Sequence, residues 1–381
     1  MTNIPDKLPN TETSIFAKMT ALALQHDAIN LAQGFPNFDV DPILQMLVYD
    51  AMQNGFNQYS PMPGNLSLRT EIANKISKLY QIDIDPETQI TVTAGATQAL
   101  FTAFTAFLHK GDEVILFEPA YDSYIPSILA NEAVPVPICT KAPDFAIDWN
   151  EVRSKISKRT KMLIINTPSN PSGKIIDRSD WDEIADIAEE HNLLVISDEV
   201  YEHLIFDNNI HHPAFTIPGL ENRFISVFSF GKTFHATGWK IGYIVASKKL
   251  NDIFKKIHQF NVFSVHTPSQ VALADYIVND KNYKNLSSFY QSKRDFMLSA
   301  FAQSKLKPLE CKGTYFLCYD YSDISDLDEV AFAEWLTRTH KVASIPISSF
   351  YHNNFNQKII RFCFAKTEDT ILKAAENLLN L

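Results

Sequence analysis

Two lysines that lie eight positions apart are the residues of this chain whose types and surroundings best suit chemistry. Lys232 follows the apolar run Phe224–Phe228, and Lys240 lies between Gly238 and Gly242. At the end of a buried strand an ammonium group is desolvated, which lowers its pKa and makes the amine a nucleophile that can form a Schiff base. Since most lysines are exposed to solvent, these two residues alone favour an ordinary surface loop. Whether they are reactive has to be judged from residues elsewhere in the chain.

Further candidates follow other apolar runs. The turn Ala94–Gln98 opens a helical pattern, so its free N–H groups and the helix dipole can bind an anion. An aromatic ring, Tyr121, follows a second run, an amide in a proline-rich turn, Asn170, follows a third, and the carboxylate and phenol of Asp198 and Tyr201 follow a fourth. Each has a plain structural alternative: a helix cap, a core ring or a rigid connection.

One part of this set suits a phosphate. The backbone of the Gly95–Thr97 turn, the Ser229 hydroxyl and the Lys240 cation are groups that bind phosphate oxygens. These residues predict an anion site next to Lys232.

The other part suits a planar pyridine ring that carries an aldehyde. Tyr121 can cover the ring, Asp198 can keep the ring nitrogen protonated, Tyr201 and Asn170 can bind a ring oxygen, and Lys232 can condense with the aldehyde. The combination predicts pyridoxal 5'-phosphate (PLP), an electron sink for carbanions formed next to an amino group.

The segments that carry these residues alternate between strand-like and helical patterns. The strand-like runs are Gln89–Thr93, Glu113–Glu118, Lys161–Asn166, Leu193–Asp198, Phe224–Phe228 and Ile241–Ala246. The helical patterns between them are Thr97–His109, Tyr121–Ala130, Ser179–His191 and Lys248–Gln259. Because the runs are apolar on both faces, we predict an α/β fold with a mostly parallel sheet covered by helices. Ligands bind beyond the carboxyl ends of such strands, where the candidates lie.

The two ends of the chain have a different pattern. Helices are predicted at 14–26, Asp41–Asn54 and Leu66–Tyr80, and from Pro268 to Ser304. Short strands near Thr314–Asp320, Val342–Pro346 and Ile359–Phe364 then alternate with helices at Asp328–His340 and Thr367–Leu379. At 381 residues the chain exceeds the size of a single core. We therefore expect a large domain, 41–275, and a smaller α+β domain formed by 1–40 and 276–381.

Composition excludes several classes of function. With 34 Lys+Arg against 44 Asp+Glu the net charge is −10, which disfavours nucleic-acid binding. The longest nearly apolar run, Ala99–Leu108, is much shorter than the ~20 residues of a membrane span. Residues 1–13 lack the pattern of a secretory signal.

Cysteine and histidine usage adds two expectations. The four cysteines are scattered, and Cys318 and Cys363 lie in strand-like runs, which is typical of reduced thiols in a cytoplasmic protein. The pair His211-His212 has no surrounding ligand cluster, so we expect a surface loop and no metal site.

Four motifs now give a specific resemblance. They are Asn166-Thr-Pro-Ser-Asn-Pro-Ser-Gly173, Ser197-Asp-Glu-Val-Tyr201, Ser229-Phe-Gly-Lys-Thr-Phe234 and Arg361-Phe-Cys-Phe-Ala-Lys366. The chain resembles fold-type I, class I/II PLP-dependent aminotransferases over essentially its whole length. It is most similar to the branch of bacterial methionine aminotransferases and kynurenine–oxoglutarate transaminases.

The resemblance implies roles at the ring of the cofactor. It makes Lys232 the Schiff-base lysine and, once released, the group that moves a proton. Asp198 would pair with the pyridine nitrogen, Tyr201 and Asn170 with the ring oxygen, and Tyr121 would stack on the ring. Lys232, Asp198 and Tyr201 are thus the expected catalytic residues.

The resemblance also implies the phosphate contacts. The backbone of Ala96 and Thr97, the Ser229 hydroxyl and Lys240 would bind the phosphate. Most class I aminotransferases have arginine at the position of Lys240, and this branch has lysine. A lysine is a point charge without the fork geometry of arginine, so the departure bears on cofactor affinity and leaves the expected activity in place.

For the substrate, the resemblance implies that Arg361 binds the carboxylate as a bidentate fork, with help from the Gly34 N–H and Asn170. Phe16 and Tyr59 would contact the substrate, and Phe38 is a further candidate for the same lining. Tyr59 would also reach the phosphate of a partner subunit, which implies a homodimer with shared sites.

The arginine distribution predicts the substrate. Residues 1–68 and the stretch from Lys240 to Gln291 contain no arginine, whereas an aspartate aminotransferase requires a second cation. The segment Phe260–His266, which in this family approaches the partner's pocket, is apolar and aromatic. We predict transamination of methionine, with phenylalanine, tyrosine, kynurenine and histidine tolerated, and a 2-oxo acid as acceptor.

Two other functions remain open at this point. A C–S β-lyase acting on cystathionine would use the same lysine and cofactor but eliminate at Cβ. A ligand-sensing domain of a transcription regulator would need a DNA-binding module ahead of it, and the match begins by about residue 14. The joint motifs favour the enzyme.

Overall fold

The structure is a computed structural model that describes residues 6–9, 11, 13–379 and 381. In the described part, the strands form a seven-stranded, a four-stranded and a two-stranded sheet. The strands are β1 Ile29–Asn30, β2 Ile90–Thr93, β3 Glu113–Glu118, β4 Val134–Cys139, β5 Thr160–Asn166, β6 Leu194–Asp198, β7 Phe224–Ser229, β8 Gly242–Ala246, β9 Lys307–Pro308, β10 Phe316–Asp320, β11 Val342–Ala343, β12 Ile345–Pro346 and β13 Ile359–Cys363.

Helices surround these sheets. They are α1 Ile15–Gln25, α2 Pro42–Gln53, α3 Leu66–Tyr80, α4 Ala96–Phe107, α5 Tyr124–Ala130, α6 Trp149–Lys155, α7 Arg178–Glu190, α8 Phe230–Thr233, α9 Lys248–Asn261, α10 Thr267–Ile277, α11 Lys281–Lys284, α12 Leu286–Phe301, α13 Glu329–Thr339 and α14 Glu368–Leu378.

The seven-stranded sheet has the order β2-β8-β7-β6-β5-β3-β4. Its neighbouring strands are parallel except for β8, which is antiparallel to both β7 and β2. This confirms the predicted α/β class, and all six predicted strands are present within a residue or so of their expected ends. Strand β4 and helix α6 were missed. Strand β4 carries Pro135 and Pro137, which depress a strand prediction but are tolerated here because β4 lies at the edge.

Both faces of this sheet are buried. On β3, Val114 and Leu116 pack with α4, α5 and α9, whereas Ile115 between them belongs to the core of the opposite face. The alternation follows the two-residue period of a strand. It explains the apolar runs, since a strand covered on both sides has no face left for water.

The four-stranded sheet, β12-β13-β10-β9, is antiparallel and lies in the C-terminal part. The predicted strand Val342–Pro346 is divided at Ser344. Its first half pairs in parallel with β1, and its second half pairs with β13. The predicted helix from Pro268 to Ser304 is likewise divided, into α10, α11 and α12.

The N-terminal segment packs with the C-terminal part of the chain. Ile29 pairs with Val342, and the Cys363 N–H donates to the Leu31 carbonyl at 2.8 Å. These contacts agree with joining 1–40 to 276–381. The domain boundaries themselves stay a prediction.

In the part of the chain that the structure describes, no helix is long and apolar enough to cross a membrane. His211 corrects one expectation, since it is buried and does not lie on a surface loop. Its Nε2 lies 2.8 Å from Glu199 Oε2, and this carboxylate also accepts from the Ala214 N–H. The partner that draws His211 inside is twelve residues away in sequence.

Candidate active site

The carboxyl ends of the parallel strands meet at one edge and form a cavity of about 230 Å³. The predicted site residues other than Tyr59 and Phe38 all line it: Phe16, Gly34, Ala96, Thr97, Tyr121, Asn170, Asp198, Tyr201, Ser229, Lys232, Lys240 and Arg361. The sheet therefore brings together residues that are up to 345 positions apart, from Phe16 to Arg361. Their individual roles stay predictions.

Lys232 lies in α8, the single helical turn that follows β7. Its Nζ donates to the Tyr315 hydroxyl at 2.9 Å and to the Gly34 carbonyl at 3.4 Å. Burial lowers the pKa of Lys232 to about 8, and the nearby Arg361 and Lys240 cations act in the same direction. An amine with this pKa can take up and release a proton near neutral pH, which is the property that the sequence predicted for it.

Asp198 ends β6 and is buried. Its Oδ2 accepts a hydrogen bond from the Tyr124 hydroxyl at 2.6 Å, whereas its Oδ1 has no hydrogen-bond partner among the described residues. Burial raises the pKa of Asp198 to about 6, although the Tyr124 hydrogen bond acts against this rise. Buried carboxylates are usually paired with a cation, whereas the side-chain hydrogen-bond partner of Asp198 is the Tyr124 phenol.

The start of α4 has the features of an anion site. Gly95 is the N-cap residue, with a φ of 79°, and it has no side chain that could accept from the first N–H groups of the helix. These N–H groups are therefore not capped by a side chain. The Lys240 ammonium lies nearby, because a Cβ built on Gly95 would be 3.5 Å from its Nζ. Helix dipole and ammonium thus reinforce each other.

Close backbone packing shapes the same end. A Cβ on Gly242 would come within 2.5 Å of the Phe228 carbonyl oxygen and 3.1 Å of the Ala96 nitrogen. Only glycine allows β8 to approach the start of α4 this closely.

Arg361 is fully buried at the other end of the cavity. Its Nη1 donates to the Asn170 side-chain oxygen at 2.7 Å and its Nη2 to the Ala32 carbonyl at 3.0 Å. The Nε has no partner in the described chain, and the guanidinium lies over the Phe316 ring at 3.8 Å. Both of these acceptors are neutral, so the guanidinium makes no ion pair with a described residue, which suits the binding of a carboxylate.

Aromatic rings cover the cavity. Tyr121 lines it in the loop before α5, and Tyr201 is buried with its ring edge against Tyr315 at 5.1 Å between centroids. Phe16 lies 5.3 Å from the Arg361 guanidinium. These contacts hold each ring in one orientation.

Several predicted residues lie elsewhere. Tyr59 is 82% exposed and contacts Phe263 with ring centroids 5.5 Å apart. Phe38 does not line the cavity, because it packs against His235 and Phe289.

Sequence reasoning missed three residues of the site: Tyr124, Tyr315 and Phe316. Tyr124 lies three positions after Tyr121 at the start of α5, and the other two lie at the start of β10. Nothing in the local pattern separates them from core aromatics, and only their contacts with Asp198, Lys232 and Arg361 distinguish them.

An α/β fold whose carboxyl edge holds a lysine of lowered pKa, a half-paired carboxylate and an anion site defines an enzyme that works with an organic cofactor. The chain belongs to the class I and II aminotransferase family, whose model matches residues 26–378. It is therefore an aminotransferase, an enzyme that acts on amino acids and 2-oxo acids, and members of this family use PLP.

Individual relatives sharpen the comparison. The chain is 46% identical to methionine aminotransferase of Escherichia coli, over the full length of both. It is 35% identical to kynurenine–oxoglutarate transaminase of Dictyostelium discoideum, over 97% of this chain and 94% of the relative.

Solved structures agree. The crystal structure of YbdL from Escherichia coli, identified as having a methionine aminotransferase function, superposes with a TM-score of 0.98, 46% identity and complete coverage of both chains. N-succinyldiaminopimelate aminotransferase of Mycobacterium tuberculosis superposes with a TM-score of 0.94 at 35% identity, over 99% of each chain.

Proposed function

We propose that this enzyme transfers the amino group of methionine to a 2-oxo acid with PLP as its cofactor. The observation that carries the proposal is that Lys232, Asp198 and Arg361 line one cavity. One oxygen of the Asp198 carboxylate has no hydrogen-bond partner among the described residues, and the hydrogen bond of Arg361 to Asn170 has a neutral acceptor. The full-length similarity to a methionine aminotransferase supports the choice of substrate.

The residues present fit the cofactor. The buried Asp198 Oδ1 has no partner among the described residues and can accept from the pyridinium nitrogen. The uncapped start of α4, with Lys240 beside it, suits the phosphate. When bound, PLP withdraws electrons from the carbon next to the substrate nitrogen and so stabilises the carbanion formed there.

The side chains of the cavity supply positioning and proton transfer. Arg361 holds the substrate carboxylate together with the Gly34 N–H, and Asn170 orients the guanidinium through its 2.7 Å hydrogen bond. Lys232, with a pKa of about 8, would take up the proton of the substrate Cα and hold it at Nζ for return. With PLP bound, Tyr121 would cover the ring, and Tyr201 and Asn170 would bind its oxygen.

The walls of the cavity favour an apolar side chain. Among the described residues that line it, Arg361 is the sole arginine, and Leu100, Ile241 and Phe316 add apolar surface. A second carboxylate would have no fork to bind, so aspartate is disfavoured. Since an apolar pocket separates side chains by only ~1–3 kcal/mol, phenylalanine, tyrosine, kynurenine and histidine are expected to react more slowly than methionine.

We also propose a homodimer. Ile43, Met46 and Tyr49 on α2 are largely exposed apolar residues, and so are Tyr59 and Phe260. Such a surface is typical of a subunit interface, and Tyr59 on it would reach the partner's phosphate site. The four free cysteines support a reducing, cytoplasmic location.

The absorbance of the protein with added PLP tests the proposal. We expect a visible band that methionine removes without any oxo acid and that a 2-oxo acid restores. The same measurement with kynurenine and aspartate ranks the substrates, and aspartate turnover as fast as methionine turnover contradicts the substrate assignment. Pyruvate released from cystathionine without an acceptor would instead identify a β-lyase.

A further inference from the structure

Tyr315 has no assigned role, yet its hydroxyl contacts two residues of the site, Lys232 and Gly34. It donates to the Gly34 carbonyl at 2.6 Å and accepts from the Lys232 Nζ at 2.9 Å. The same Gly34 carbonyl accepts from Lys232 at 3.4 Å. The three groups form a closed triangle of hydrogen bonds. The phenol donates its proton to the carbonyl oxygen and accepts from the lysine with a lone pair.

The triangle is rigid. Tyr315 is fully buried, and its ring packs against Tyr201 at 5.1 Å, Phe316 at 4.8 Å and Tyr290 at 5.9 Å between centroids. Since these contacts fix the ring, the hydroxyl has one position and one direction in which it can accept.

Both oxygens of the triangle are neutral. Lys232 is therefore held by directional hydrogen bonds and not by an ion pair. Its amine can move out of this position when it forms a bond elsewhere. An ion pair such as the one Lys75 makes with Glu202 at 2.5 Å would hold the amine too firmly for that purpose.

We propose that the Tyr315 hydroxyl and the Gly34 carbonyl form the holding site for the free amine of Lys232, which makes Tyr315 a positioning residue for the proton-transferring lysine. This rests on the proposed function, in which Lys232 is a free amine for part of each turnover. Tyr315 sets where Nζ stands during that period, and it favours the ammonium form because a hydroxyl that can only accept stabilises the charged donor.

The groups that face Lys232 come from several elements. They are Asp198 and Tyr201 at the end of β6, Lys240 before β8, Tyr315 before β10, and Arg361 and Cys363 on β13. Asp198 is the anion of this set, and the cations Arg361 and Lys240 oppose the ammonium. A titration of Lys232 therefore reports on Tyr315 only when the other groups are left intact.

The substitution Tyr315→Phe removes the hydroxyl and keeps the ring with its packing. Tyr319, four residues further on in β10, offers a matched control, since its hydroxyl is also buried but has no partner among the described residues. Tyr319→Phe removes the same kind of atom without breaking a described hydrogen bond.

The first measurement uses the full-length chain freed of cofactor. The rate at which an acylating reagent modifies Lys232 is followed by peptide mass spectrometry from pH 6 to 10. We expect a midpoint near the pKa of about 8 for the parent and Tyr319→Phe. Tyr315→Phe should have a midpoint about one pH unit lower, the usual effect of losing a hydrogen bond to a charged group. An unchanged midpoint overturns the proposal.

The second measurement uses the holoenzyme. Tyr315→Phe should lower kcat for methionine about tenfold and change KM less than twofold, since its hydroxyl bonds to Lys232 and to the Gly34 carbonyl and makes no hydrogen bond with Arg361 among the described contacts. If KM rises and kcat is retained, Tyr315 only braces the Gly34 loop and the proposal is wrong. Failure of the parent to convert methionine would refute the proposed function, whereas the titration tests the holding site without any cofactor.

Discussion

Two buried lysines of this molecule lie in opposite surroundings. Lys75, on α3, donates to Glu202 at 2.5 Å and to the Tyr243 hydroxyl at 3.0 Å. Burial by itself would raise the pKa of Glu202, but Lys75 and His203 more than offset it, so this pKa lies below its ordinary value. Lys232 has two neutral oxygens as partners and a pKa lowered to about 8.

The difference lies in charge compensation. A lysine that shares its charge with a carboxylate is locked in place and contributes to structure. A lysine that faces neutral acceptors and other cations can exchange its proton, which is what a chemical step requires. The two environments are adjacent, since Glu202 directly follows Tyr201 of the cavity. The chain thus places a charge-compensated lysine, Lys75, close to a lysine without an ion-pair partner among the described residues, Lys232.

The largest effect is expected for Lys232→Ala. Removing the amine should lower methionine turnover by at least ~10³-fold, because the nucleophile and the proton carrier are lost together. The loss of stability should be smaller than for Lys75→Met, because Lys232 has neutral hydrogen-bond acceptors and no ion-pair partner among the described residues. Steady-state kinetics and thermal unfolding measure the two quantities, and turnover within tenfold of the parent would refute the role of Lys232.

Lys75→Met should have the reverse profile. The substitution leaves the Glu202 carboxylate buried without its lysine partner, which costs about 3–5 kcal/mol of unfolding free energy, while kcat of the folded protein stays within about threefold. Denaturant unfolding measures the loss. The double variant Lys75→Met with Glu202→Gln removes the stranded charge and should recover much of the stability; no recovery would mean that packing, not charge, holds the cluster.

The contributions of the Asp198 and Glu202 carboxylates to the free energy of unfolding should change with pH in opposite directions. The pKa of Asp198 is raised to about 6 in the folded chain, so its contribution to stability is present at low pH and is lost as pH rises through 6. Without cofactor, stability relative to Asp198→Asn should fall by up to about 3 kcal/mol between pH 4 and 7. Unfolding at a series of pH values tests this. For Glu202, whose pKa is lowered, the contribution is instead lost as pH falls.

The smallest effect is expected for Tyr124→Phe. Loss of the 2.6 Å hydrogen bond should raise the pKa of Asp198 further and lower kcat about tenfold. The acidic limb of the kcat–pH profile should then move to higher pH. A lower kcat with an unmoved profile would mean that Tyr124 acts only through packing.

Much of the fold was predictable because its signals are local. The apolar runs of β3 and β5 and the helical period of α3 gave their positions almost to the residue. Strand β4 escaped because its prolines are compatible only with an edge, and a sequence does not reveal which strand lies there. The break at Ser344 depends on two different partners, β1 and β13.

The candidate site divides in the same way. Lys232, Asp198 and Arg361 were found because they follow or lie in recognisable strands within characteristic motifs. Tyr124 and Tyr315 were not predicted, since the sequence does not distinguish an aromatic site residue near a strand from an aromatic core residue. Only the hydrogen-bond partners of their hydroxyls in the structure do so. The role of Tyr59 remains a prediction, because it depends on the proposed homodimer.

By itself the sequence determined the element types, the α/β class and the set of reactive groups, since these depend on periodicity and residue chemistry over a few positions. Only the tertiary structure decided which charges are compensated. Lys75 meets Glu202 across 127 positions and Lys232 meets Tyr315 across 83. Whether a buried lysine stabilises the fold or carries a proton depends on such distant partners, because the energy of a buried charge is set by the few atoms that surround it.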